Sequence, residues 1–384
     1  MKSRHPLKAI LRRLTPTPAT SLTPRSHRPL IKRRFSSTAK LILGVSVLLS
    51  ACAGITDLST RPQDPVDRRY KIEEVRFAGG PDVTLAGELT MPRKGGPFKA
   101  VVLISGSGPQ DKNEALAGHK PFLVLSDHLT RAGFAVLRYD DRGFADSTGT
   151  YDTADLYDFA DDAAGAFRYL QSRPEIETTA IGYIGHSEGG YIAPVAARQT
   201  DPAFMVFLAS AARPIFPDVI VTQLADLSRA QGVDEAAIET AVTQFQVGSS
   251  ILKQPAPLSK IRDDLNDYLK AQEISRGERR EILDLFATRW GVSHANYDSK
   301  AELLSLTNPV LALFGETDLQ VSAKEEASVM RTALRNPGSE VQVIKGANHL
   351  FQPSPSGLPS DYSEIETTIS IDVLNRISAW IGAQ

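Results

Sequence analysis

From Lys99 to Gly346 the chain keeps returning to one arrangement: a short apolar run, a turn, and a longer amphipathic stretch. "KAVVLIS" and "FAVLRYD" are nearly continuous apolar runs without the alternation of a half-exposed strand, so they predict strands buried on both faces. "AIGYIGH", "FMVFLAS", "PVLALFG" and "EVQVIKG" predict further strands. The helical blocks fall between them. "PFLVLSDHLTRAG" predicts a helix closed by Gly133, residues 154–172 a longer one, and "SAKEEASVMRTALR" another. Residues 365–381 predict a closing amphipathic helix. Ahead of these, "KIEEVRFA" and "VTLAGELTMP" alternate with period two around Gly79-Gly80-Pro81-Asp82, which predicts two strands and a turn. The fold class is α/β, a mostly parallel twisted sheet flanked by helices.

Residues 213–305 break the rhythm. They hold helical patterns such as "DEAAIETAVTQFQVG" and "RGERREILDLFATRW" and no convincing strand. A stretch this long is no loop in a compact domain, so it predicts a helical cap between two strands of one sheet. Residues 70–212 and 306–384 then form the core. The cap leaves and returns at strand ends where ligands bind in open α/β sheets.

The amino terminus is of another kind. Residues 1–51 carry eleven of the 43 basic residues and none of the 45 acidic ones, which leaves the rest of the chain at a formal charge of −13. An acidic body argues against a nucleic-acid partner. The apolar run "LILGVSVLLSA" is too short to span a bilayer but suits the apolar part of an export signal. It ends at Leu49-Ser50-Ala51-Cys52, which resembles the lipobox of bacterial lipoproteins, where the cysteine is acylated and becomes the new amino terminus. Residues 1–51 thus predict a lipoprotein signal peptide, Cys52 a lipid anchor, and residues 52–69 a flexible tether. The expected location is the cell envelope, facing the periplasm. Arg33-Arg34-Phe35, in an unusually long basic segment, loosely resembles a twin-arginine signal.

The stretch "IGYIGHSEGGYIAP" runs from strand formers into a helix through Ser187, with Gly185, Gly189 and Gly190 around it. Glycines that close together clear space for a sharp turn with a strained central residue. Gly185-His186-Ser187-Glu188-Gly189 fits G-x-S-x-G, the nucleophile elbow. A serine nucleophile needs a base, and the base needs an orienting acid. Asp318 follows the strand "PVLALFG", with Glu316 as a rival acid, and His349 follows the next strand past Gly346. The order serine, acid, histidine is the one the elbow fold uses. For the oxyanion, one donor would be the backbone N–H of Glu188. The second would be that of Ser107 in "SGSGPQDKN", with Gly108 as the alternative.

The segments "LISGSGPQDKN", "KPFLVLSDHLTRAGFAVLRYDDRG", "GHSEGG", "GETD" and "NHLFQ" carry a wider resemblance. From about residue 71 to 381 the chain resembles an α/β-hydrolase, specifically bacterial carboxylesterases of the EstD type. These are related to the prolyl-oligopeptidase and serine-aminopeptidase groups. The resemblance implies a triad of Ser187, Asp318 and His349, a helical cap, and hydrolysis of small-molecule carboxylic esters without metal or cofactor. It leaves three other readings open. A peptidase or amidase would use the same triad, and an exopeptidase would need a carboxylate such as Glu188 or Asp226 for a substrate ammonium. Acyl transfer would use identical residues. A non-catalytic binding lipoprotein would be expected to lack part of the triad. The "YDDRG" loop reads as structural, with Asp140 or Arg142 pinning neighbouring loops. Oligomeric state is not written in the sequence.

Overall fold

The computed structural model describes residues 61–384. Cys52 and the signal segment lie outside the described residues. Eight strands form one sheet in the order β1-β2-β4-β3-β5-β6-β7-β8. They are β1 (Lys71–Ala78), β2 (Thr84–Met91), β3 (Phe98–Ile104), β4 (Ala135–Tyr139), β5 (Ile176–His186), β6 (Met205–Leu208), β7 (Val310–Gly315) and β8 (Glu340–Ile344). β1 and β2 pair antiparallel from Lys71↔Met91 to Ala78↔Thr84, and β2 is also antiparallel to β4. From β4 to β8 every pairing is parallel.

The continuous apolar runs are explained by what covers them. Alternate residues of one strand enter two separate cores, as the two-residue period of a strand requires. Val101 and Leu103 of β3, Val206 and Leu208 of β6, and Leu311 and Leu313 of β7 pack on one face, with helices α1 (Pro121–Arg131) and α11 (Ile371–Ala383). Val102, Phe207 and Phe314 enter the opposite core, with α2 (Leu156–Gln171), α3 (Gly189–Ala197) and α10 (Ala323–Ala333). A polar residue in the middle of these runs would be stranded on one side or the other. At the edge, β8 keeps an exposed or half-exposed residue at every position.

Local signals set the helix starts. Asp155 caps α2, accepting from the N–H of Tyr157 and Asp158, while the Asp158 carboxylate accepts from the Asp155 N–H at 3.0 Å. The closing helix begins at Ile371, six residues later than its amphipathic pattern predicts. The reason is a competing partner. Gln63 Oε1 accepts from the N–H of Thr368 (2.6 Å) and Ile369 (3.1 Å), and the Ser370 N–H is bonded to the Phe351 carbonyl. Those donors are taken before a helix can use them.

Gln63 belongs to the stretch read as a tether. Residues 61–69 contain neither helix nor strand, yet several side chains there are fastened to the body. Arg61 donates to the carbonyls of Ala117 (3.1 Å) and Ser363 (2.9 Å), and Lys120 pairs with Asp64 at 2.7 Å. The sequence shows only their polarity, not their long-range partners.

Between β6 and β7 the chain makes a kinked turn, Ile215–Val219, and six α-helices. These are α4 (Ile220–Ala230), α5 (Glu235–Leu252), α6 (Leu258–Ala271), α7 (Arg276–Phe286), α8 (Arg289–Asn296) and α9 (Ser299–Ser305). Among the described residues no helix is long and apolar enough to cross a membrane.

Candidate active site

β5 ends at His186 and α3 begins at Gly189, so the chain reverses within two residues. Ser187 sits at the reversal with φ 51°, a left-handed conformation that costs a non-glycine residue about 1–3 kcal/mol. The turn is held open to nothing larger than glycine. A Cβ on Gly189 would lie 2.2 Å from the Ile104 carbonyl oxygen, and one on Gly185 would lie 2.3 Å from the Gly189 backbone. The Ser187 N–H donates to the Leu208 carbonyl at 2.8 Å, and Ser210 Oγ donates to the Ser187 carbonyl at 2.7 Å. The strain is thus fixed by the next strand, β6.

Ser187 opens on a cavity of about 70 Å³ that Ser107, His186, Glu188 and His349 also line. The turns after β7 and β8 bring the acid and the imidazole together. Asp318 Oδ2 accepts from His349 Nδ1 at 2.7 Å, and Asp318 Oδ1 accepts from the N–H of Gln320 (2.7 Å) and Val321 (3.0 Å). Both side chains are buried. With Nδ1 occupied, the other ring nitrogen of His349 is the one available to a reacting group. Glu316, the rival acid, is exposed and accepts from the Gly346 N–H at 2.8 Å. Geometry separates the two carboxylates.

The loop after β3 is clamped from two sides. The Asp141 carboxylate accepts from Ser105 Oγ (2.8 Å) and the Gln110 N–H (2.8 Å), and Asp140 accepts from the Lys112 N–H (2.7 Å). Burial pushes the Asp141 pKa well above the ordinary carboxylate range. Arg142 donates to Asp162 at 2.6 Å, so the "YDDRG" loop does pin its neighbours. The Gly106 N–H is committed to Glu114 Oε1 at 2.8 Å. By contrast, the backbone N–H groups of Ser107 and Glu188 have no partner among the described residues. Both residues line the cavity.

Four residues at this site carry no local signal in the sequence. Glu114 Oε1 faces His186 Nδ1 at 2.8 Å, and His186 Nε2 faces the His349 carbonyl at 3.2 Å. Both partners are acceptors, so both ring nitrogens donate and the ring is held charged. Burial opposes that charge, but Glu114, the His349 carbonyl and Asp318 together outweigh it and the His186 pKa is raised. From the cap, Trp290 Nε1 donates to Glu188 Oε1 at 2.7 Å. His294 Nε2 lies 2.8 Å from the same oxygen but outside hydrogen-bond geometry. Helix α8 is therefore tied to the residue that follows Ser187. The link joins residues a hundred positions apart, which only the fold brings together.

Comparisons with known proteins bear on the family and the fold. The family model described as serine aminopeptidase, S33, matches residues 120–352. Esterase EstD of Thermotoga maritima is 26% identical over 300 residues, which cover 77% of this chain. The match spans 65% of that esterase's own length, a little under two thirds. The α/β hydrolase GrgF from Penicillium sp. sh18 superposes with a TM-score of 0.52 at 17% identity, covering 82% of this chain and 98% of GrgF. The Pyrococcus furiosus esterase Pf2001 gives a TM-score of 0.50 at 14% identity, covering 82% of this chain and 91% of that one. At such identities the two structures speak for the fold alone, and that fold is the α/β-hydrolase fold.

Proposed function

Since the chain belongs to the serine aminopeptidase S33 family of α/β hydrolases, we propose that it is a carboxylesterase working through an acyl-enzyme on Ser187. The observation that carries this is the Asp318–His349 pair, 2.7 Å apart, with His349 lining the same cavity as the strained Ser187. In this reading Ser187 Oγ attacks the ester carbonyl while His349 Nε2 takes its proton. Asp318 stabilises the imidazolium that results and holds the ring in one tautomer. The two unpartnered N–H groups, of Ser107 and Glu188, receive the oxyanion. As the tetrahedral intermediate collapses, His349 returns the proton to the departing alkoxide and the alcohol leaves. Water then enters by the same steps in reverse roles, and the carboxylic acid departs.

The similarity to an esterase supports ester over peptide substrates. So does the state of the carboxylates that an exopeptidase would need. That of Glu188 accepts from Trp290 Nε1 at 2.7 Å, and that of Asp226 is paired with Arg229 at 3.1 Å. The test is a screen of the full-length protein on p-nitrophenyl esters beside aminoacyl p-nitroanilides. Hydrolysis of the esters, with anilides turned over at least about a hundredfold more slowly, is the expected result. Faster anilide turnover would make the protein a peptidase.

We further propose that the enzyme is a lipoprotein anchored through acyl chains on Cys52 and facing the periplasm. Support comes from the sequence alone: a basic segment, a short apolar run, and then Leu49-Ser50-Ala51-Cys52. More than one buried chain is what makes such an anchor stable.

A further inference from the structure

The cap contains a second cavity, of about 30 Å³, which the chemistry above does not use. Phe216, Phe245, Leu252, Leu265, Ile282 and Phe286 form most of its wall. Gln244 Oε1 is its one buried polar atom without a partner among the described residues. A wall made mainly of such side chains favours apolar groups.

Phe216 lines this cavity and not the one beside Ser187, from which Trp290 separates it. It is fully buried and extended (φ −113°, ψ 125°) inside the kinked turn. That conformation points neighbours apart: Ile215 lines the cavity at Ser187, and Phe216 lines the one in the cap. The Phe216 ring stacks on Phe245, with centroids 5.8 Å apart, and meets Trp290 edge to face at 6.2 Å. Trp290 lines the Ser187 cavity, and its indole is fixed there by the hydrogen bond to Glu188. One aromatic ring therefore backs the tryptophan that closes the site.

We propose that Phe216, packed behind Trp290, is the residue that limits acyl-chain length at the site, and that the cap cavity is the space a longer linear acyl chain enters once its ring is cut back. The inference rests on the ester-hydrolase reading and adds to it the residue that limits chain length. The chemistry is simple. Extra methylenes of a straight chain need a dry apolar channel, and discrimination by one methylene in such a pocket runs to about 10–200-fold.

The experiment compares kcat/KM for p-nitrophenyl octanoate and p-nitrophenyl butyrate in the full-length protein. Phe216→Ala should raise the octanoate-to-butyrate ratio at least about tenfold. Phe216→Leu, which keeps more of the packing, should raise it less but in the same direction. Gly248→Leu supplies the control. A Cβ at Gly248 would lie 3.5 Å from Tyr268 and 3.6 Å from Leu265, so a larger side chain there fills the cap cavity without striking backbone. Alone it should leave the ratio unchanged, and added to Phe216→Ala it should cancel the gain. A ratio that stays within about twofold of wild type in both Phe216 variants overturns this role of Phe216, as does a gain that survives Gly248→Leu. A wild type that cleaves neither ester overturns the proposed function itself, and the role of Phe216 with it.

Discussion

Ser187 pays for its exposure in backbone strain, and the surrounding residues show where the compensation lies. Its N–H and carbonyl are both bonded to the β6 end, and its flanking glycines leave no room for other side chains. Asp318 is similarly committed, with one oxygen on two backbone N–H groups and the other on His349. Replacing it with asparagine keeps the size but presents an amide where His349 needs an acceptor. Asp318→Asn should therefore lower kcat by roughly 10⁴, the cost of a wrong histidine tautomer in a serine protease. Glu316→Gln, which changes an exposed carboxylate, should cost no more than a few-fold. Steady-state kinetics on one ester decides between them, and the reverse ranking would transfer the acid's role to Glu316. Ser187, Asp318 and His349 were legible because each follows a strand and a glycine in a fixed order. Glu114, His186, Trp290 and His294 were not, because their partners are set by packing between distant segments.

At the scale of elements, three loops meet through one buried chain of bonds. Glu114 holds the Gly106 N–H and His186, and His186 holds the carbonyl of His349. The loop after β3, the elbow and the loop after β8 are thereby locked to one another. The lock has a pH signature. A histidine whose folded pKa is raised adds stability that is complete below its unfolded value, about 6.5, and is lost as pH rises through the folded value. Thermal unfolding of the wild type should lose that contribution as pH climbs from about 6.5, and Glu114→Gln should flatten the decline. An equally steep decline in the variant would show that Glu114 does not set the His186 charge. Strands were the most legible elements, since burial on two faces leaves an unbroken apolar run. The start of α11 was misjudged because Gln63, some three hundred residues away, takes the N–H groups that would have begun it.

At the scale of the whole molecule, the sheet supplies the ends past which Ser187, Asp318 and His349 lie, and helix α8 is tied to them through Trp290 and Glu188. The envelope location belongs to the same scale. Metabolic labelling with an alkyne palmitate should mark the wild type and send it to the membrane fraction, while Cys52→Ser should be unlabelled. A soluble, unlabelled wild type would leave only an ordinary export signal. The alternation of strands and helices, and the long helical interruption before β7, were written in the sequence. The fastening of residues 61–69 was not, since Arg61, Gln63 and Asp64 read as polar residues whose partners lie far along the chain. The central claim is that Ser187 is the nucleophile, and its most direct test is covalent capture. A fluorophosphonate probe should add one label to the wild type, mapped by peptide mass spectrometry to Ser187, and none to Ser187→Ala. A label that persists in the variant, or that maps to another residue, would contradict the account.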